Sequence, residues 1–172
     1  MTLEDRFETA IMAPGDINEH LRTLRRYGSR VSHITEFGVR QGVSTLAWLA
    51  AKPDKLRCYD FAWYPEISTL AEIATEEEID FLFFQANTLD CQIEETDLLF
   101  VDTTHTYEQL KAELERHAGK VGRYLAFHDT VTFPDMARAL WEWLKEHPEW
   151  EVREQYQQQH GLTIHERNAN AR

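Results

Sequence analysis

DLLFVDTTHTYEQLK, residues 97 to 111, begins as a buried strand and ends as an amphipathic helix. Between the two lie an acid, two threonines and a histidine. An open parallel sheet gives that placement a purpose, because such sheets bind ligands just beyond the carboxyl ends of their strands. The reading of this join decides the fold, provided the flanking sequence builds the sheet.

It does. Upstream, VSHITEFG (31–38), KLRCYDF (55–61) and DFLFFQAN (80–87) read as strands, and downstream RYLAFHD (123–129) reads as another. DFLFFQAN is apolar almost throughout, which predicts a central, buried strand. Between them VSTLAWLAA, PEISTLAEIATEEE, YEQLKAELERHAG and PDMARALWEWLKEH repeat apolar residues at helical spacing. Pro65 and Pro134 stand at first turns, where a missing N–H is harmless. PGDINEHLRTLRRYG predicts a first helix over 16–28, opened by Asp16 and closed by Gly28. Strands alternating with helices predict an α/β fold with a mostly parallel sheet. The last two strand-like pieces, in WEVREQYQQQHGLTIHER, have no helix between them and must pair as an antiparallel hairpin. The expectation is one domain over 1–172 with a frayed tail at 168–172.

Composition narrows the function. The chain has 172 residues, 42% hydrophobic, enough for one real core. A net charge of −12 argues against nucleic acid or an anionic membrane as partner. There is no apolar run of membrane-spanning length and no signal-peptide pattern, so a cytoplasmic protein is expected. Cys58 and Cys91 then read as reduced, structural thiols rather than a disulfide.

The first strand exits into EFGVRQGVS, a glycine turn that three patterns can be tested against. The phosphate loop fails for want of Gly-Lys-Ser/Thr, and G-x-G-x-x-G fails because Arg40 and Val43 stand where glycines belong. That spacing disfavours a nicotinamide-dependent oxidoreductase. An acid followed by glycines two, four and six residues later is met by Glu36, Gly38 and Gly42, with Arg40 in the middle position. Asp60 closes the second strand, where a carboxylate can accept from a ribose diol or cap a helix.

With that turn and Asp60, and with DTTHTY and FHDT ending the fourth and fifth strands, the chain resembles class I S-adenosylmethionine-dependent methyltransferases. The likeness is to the branch of small O-methyltransferases and cephalosporin-hydroxylase-like proteins, and it runs from about residue 16 to residue 167. It implies a Rossmann-like methyltransferase fold: a seven-stranded, mostly parallel sheet, helices on both faces and the terminal hairpin. It implies cofactor contacts from Glu36, Gly38, Val39, Arg40, Gly42 and Ser44 of the turn, from Asp60 and Asn87, and from Asp102. Asp102, His105 and His128 are the candidate catalytic residues. Asp102 and Asp129 leave neighbouring strands and are the candidate ligands of a divalent ion such as Mg²⁺. Of His128 and Asp129, adjacent in a strand, one is expected to point into the fold, and Asp129 is favoured for the site.

The implied activity is methyl transfer to a small-molecule hydroxyl, sugar or phenol-like. The alternative is a cofactor-binding sensor or assembly partner that methylates nothing. With only a short N-terminal helix to cover the pocket, a homo-oligomer is expected.

Overall fold

The computed structural model describes residues 1–168, so most of the predicted frayed tail lies outside the described residues. All strands join one sheet: β1 (His33–Phe37), β2 (Lys55–Asp60), β3 (Asp80–Gln85), β4 (Thr96–Val101), β5 (Val121–His128), β6 (Trp150–Tyr156) and β7 (Leu162–Arg167). Their order is β3-β2-β1-β4-β5-β7-β6. The first five run parallel, and β7 returns antiparallel between β5 and β6. The order reverses between β1 and β4, which is where an open α/β sheet leaves a crevice.

Side-chain alternation along the strands separates two cores. Ile34, Leu56, Leu98, Phe100, Tyr124 and Ala126 face one side, covered by α1 (Leu3–Met12), α2 (Leu21–Gly28), α3 (Val43–Ala51) and α4 (Glu66–Glu76). Phe37, Tyr59, Leu99, Val101, Leu125 and Phe127 face the other, covered by α5 (Tyr107–His117) and α6 (Pro134–Glu146). Trp48 and Phe100 are fully buried against each other in the first core, and each such side chain contributes roughly 1.5–3 kcal/mol by leaving water.

Three sequence-based expectations need correction. The helix predicted over 16–28 starts later: residues 18–20 form a single 3-10 turn and α2 begins at Leu21. Asp16 instead meets Arg40 at 3.3 Å, so it does not cap the helix. The sequence reading also passes over α1, although its capping box is written in the residues. Thr2 Oγ1 accepts from Asp5 N and Thr2 N donates to Asp5 Oδ2, while Leu3 and Phe7 bury one helical turn apart. The helix packs on α3. Finally, β3 is an edge strand, not a central one. Phe81 and Phe83 pack into the first core, but no helix among the described residues covers the other face, so Leu82 and Phe84 are exposed at 47% and 37%. An apolar run by itself does not say how many faces will be covered.

Cys58 and Cys91 are free thiols. No helix among the described residues is long and apolar enough to cross a membrane.

The terminal hairpin carries a titration that folding feels. His165 on β7 is fully buried between Phe127 and Trp141, and burial lowers its pKa to about 4. A histidine lowered in the folded state stabilises above its unfolded pKa of ~6.5, and that contribution is lost as pH falls towards about 4. Buried His20 and His117 are lowered in the same direction. The melting temperature should therefore drop between pH 7 and pH 5, and His165→Gln should make the drop shallower. Equal slopes in the two proteins would show that His165 is already charged in the fold.

Candidate active site

The glycine turn after β1 is clamped from both sides. Gly38 N donates to Tyr59 O of β2, and Asp102 N, just past β4, donates to Phe37 O, both at 2.9 Å. Gly38 has φ +81°, and a Cβ there would stand 1.8 Å from the Asp102 carbonyl oxygen. Only glycine fits that approach. Arg40, in the position where a third glycine would complete the pattern, takes φ 48° and swings its side chain out to Asp16. Asp60 ties the turn down: Oδ2 accepts from Val39 N at 2.8 Å and Arg40 N at 3.0 Å, and Oδ1 accepts from Ala62 N. Each carboxylate oxygen has room for further donors.

Above this turn opens a cavity of about 370 Å³. It is lined at the strand ends by Gly38, Asp60, Ala86 and Asp102, and further out by Arg40, Phe61 and Gln109. Asp60 and Asp102 place two carboxylates at the crevice floor, with the exposed Arg40 further out. The volume lies within the usual range for ligand sites.

Glu36 does not face that cavity. It is fully buried, accepting from Ser44 Oγ at 2.5 Å, Thr45 Oγ1 at 2.7 Å, Trp48 Nε1 at 3.2 Å and Cys58 Sγ at 3.2 Å. Burial raises its pKa to about 7 against the pull of those four donors. An acid at a strand end can project to either face, and this one projects towards α3. Its partner Ser44 is buried with it. Val39 is buried, and its contribution at the turn is the backbone N–H held by Asp60; Gly42, at φ 77°, lies against Leu70. Glu36, Val39, Gly42 and Ser44 therefore shape the turn from behind and do not line the crevice.

Asn87 lines the cavity, but its side chain is committed to a turn: Oδ1 accepts from Leu89 N and Nδ2 donates to Asp90 Oδ2. Two polar groups of that wall, Gln109 and the Glu113 behind it, are ones the sequence reading missed. Glu113, on α5 and nearly fully buried, accepts from Thr88 Oγ1 at 2.6 Å, Thr103 Oγ1 at 3.0 Å and Gln109 Nε2 at 2.8 Å. Burial raises its pKa. Helical spacing of Gln109 and Glu113 was the available signal, since i and i+4 share a face.

Beside the cavity, Asp102, His105, His128 and Asp129 form one cluster. β4 and β5 pair Val101 with Phe127, which sets Asp102 level with His128. β5 ends at His128, and Asp129 then takes φ 63°. That left-handed turn brings both residues to one site, so neither is turned away as strand alternation alone predicts. His128 Nδ1 lies 3.2 Å from Asp129 Oδ2 and 3.6 Å from Asp102 Oδ2. His105 Nε2 lies 3.6 Å from Asp102 Oδ1 and 2.6 Å from Asp129 Oδ2, without the alignment of a hydrogen bond. The carboxylates draw positive charge. The nearby carboxylates of Asp102 and Asp129 push His105 up to about 9, while His128, which burial alone would lower, is carried to about 10 by the same two acids. Asp129 is held well below the usual carboxylate range, both histidines overcoming the effect of its burial.

This set fits a divalent cation. Donor atoms of Asp102, His128 and Asp129 lie within 4.8 Å of one another. His128 Nε2 pairs with the Gln159 carbonyl at 3.0 Å, which leaves Nδ1 facing the cluster.

No protein-family model matches the chain, and no curated protein matches it. Solved structures do. An O-methyltransferase from Bacillus cereus in complex with S-adenosylhomocysteine aligns with TM-score 0.66 at 12% identity, covering 96% of this chain and 90% of that one. The N-methyltransferase NodS from Bradyrhizobium japonicum, also with S-adenosylhomocysteine, gives 0.63 at 16% identity, covering 99% and 100%. Magnesium protoporphyrin IX methyltransferase from Synechocystis, with bound S-adenosylmethionine, gives 0.61 at 13% identity, covering 91% and 86%. At these identities the likeness establishes the fold, and the fold is that of the class I methyltransferases.

Proposed function

We propose that the chain is an S-adenosylmethionine-dependent methyltransferase acting on a hydroxyl of a small molecule. The observation that carries this reading is the juxtaposition of the acidic crevice over the Gly38 turn with the Asp102, His105, His128 and Asp129 cluster. The crevice fits the cofactor: glycine permits close backbone approach, Asp60 stands where a ribose diol would be met, and two carboxylates suit a sulfonium. Bound there, S-adenosylmethionine supplies a methyl group activated by positive sulfur.

The chain's own groups then have two tasks. The strand ends would hold the acceptor in line with the methyl group, which is most of the catalysis for an in-line displacement. The cluster manages the acceptor's proton. His105 is the more exposed of its two imidazoles, at 29% of its side chain against 2% for His128, so it is the group placed to take that proton; with its pKa raised to about 9, the neutral form that can do so grows as pH rises towards 9. A divalent ion would be held by Asp102, His128 and Asp129 and would supply Lewis acidity that lowers the hydroxyl's pKa. Imidazole nitrogen in the donor set suits manganese, iron or zinc better than magnesium, which favours oxygen.

Incubation with methyl-labelled S-adenosylmethionine and a panel of sugars, phenols and carboxylates tests the proposal. Label should pass to a hydroxyl acceptor with equimolar S-adenosylhomocysteine. Cofactor binding with no transfer to any acceptor would favour the sensor or assembly reading instead.

A further inference from the structure

The buried network behind the cavity wall decides which way one amide faces. Gln109 Nε2 donates one hydrogen to Glu113 Oε1 at 2.8 Å and the other to Thr88 Oγ1 at 3.1 Å. The hydroxyl hydrogen of Thr88 is itself given to Glu113 at 2.6 Å, so Thr88 can only accept from Gln109. Thr103 donates to both Glu113 oxygens at 3.0 Å. If the amide were reversed, its oxygen would face the Glu113 oxygen and a Thr88 oxygen with no hydrogen to offer, which is repulsive twice over. The carboxamide oxygen is therefore the free end.

Gln109 lines the cavity, as do Thr88, Thr103, Tyr59, Phe61 and Ala86. This wall sets apolar surface beside the free Gln109 acceptor, while the neighbouring Asn87 amide is already engaged at both ends. A planar, partly apolar ligand carrying an N–H donor matches it, and a ring with a carbonyl in that place does not.

Resting on the cofactor reading above, we infer that Gln109 selects a 6-aminopurine by accepting from its exocyclic amine, and that Glu113 is the positioning residue that fixes the acceptor's orientation. Adenine is then preferred to a 6-oxopurine because the latter sets oxygen against oxygen. Glu113 touches no ligand. It acts through the direction in which it holds an amide and two hydroxyls.

Calorimetric titration with S-adenosylhomocysteine and with S-inosylhomocysteine, its 6-oxo counterpart, tests this without any turnover. The wild-type protein should bind the 6-oxo compound about 30-fold more weakly, the size of one mismatched buried hydrogen bond. Gln109→Met removes the acceptor and should bring the two affinities within about threefold, mainly by weakening the amino ligand. Glu113→Gln lets the Gln109 amide rotate, and it should narrow the ratio by recovering the 6-oxo ligand. A role confined to stability would shift both affinities together. A wild-type ratio near one, or an unchanged ratio in Gln109→Met, overturns the inference while leaving the cofactor reading standing. Failure of the wild type to bind S-adenosylhomocysteine at all overturns both.

Discussion

Gly38→Ala is expected to give a protein that melts far below the wild type and no longer binds S-adenosylhomocysteine. The added Cβ would stand 1.8 Å from the Asp102 carbonyl oxygen, a backbone atom that no rotamer change can move aside. The residue also sits at φ +81°, which costs an L side chain roughly 1–2 kcal/mol. Overpacking adds roughly 1–3 kcal/mol more. Together these are a large share of the ~5–15 kcal/mol that holds a domain folded. Relief requires β1 and β4 to part at their ends, and that is the floor of the crevice. Gly119→Ala is the control, because nothing lies within 4 Å of a Cβ there, and it should be near neutral. A Gly38→Ala protein as stable as wild type, with ligand binding intact, would mean the turn is not packed as described.

Asp129→Asn is expected to lower turnover by about 100-fold or more while leaving S-adenosylhomocysteine affinity within a few-fold. Asparagine accepts the left-handed backbone that Asp129 adopts at φ 63°, so the turn survives. What is lost is charge. Asp129 approaches both His105 and His128, and an amide neither anchors an ion nor balances an imidazolium. Dialysis against a chelator separates the two roles. Loss of activity restored by manganese or zinc assigns the cluster to a metal, whereas full activity in chelator assigns it to His105 as base. Undiminished turnover in Asp129→Asn would remove the cluster from the chemistry altogether.

What could be read from residues alone followed from local pattern. Alternating strand and helix periodicities predict the sheet, and the terminal hairpin follows from having no helix between its strands. The carboxylate and imidazole groups at the ends of β4 and β5 are visible because they interrupt apolar runs. Three features needed the third dimension. Glu36 ends its strand beside the glycine turn, but the face it projects to depends on strand alternation against α3. β3 is apolar enough for a central strand, yet its place at the edge is set by the crossover that carries β4 to the other side of β1. Glu113 and Gln109 read as ordinary residues of an amphipathic helix until α5 packs them against Thr88 and Thr103. The first helix is a different case, since the Thr2 and Asp5 capping pair announces it.

The proposed activity requires the crevice above Gly38 to receive the cofactor. Titrating the wild-type protein with S-adenosylhomocysteine in a calorimeter tests that most directly, with Asp60→Ala alongside. Micromolar binding is predicted, weakened in Asp60→Ala by roughly 1.5–3 kcal/mol as a charged acceptor is lost. An absence of heat from the wild type with either S-adenosylhomocysteine or S-adenosylmethionine would contradict it.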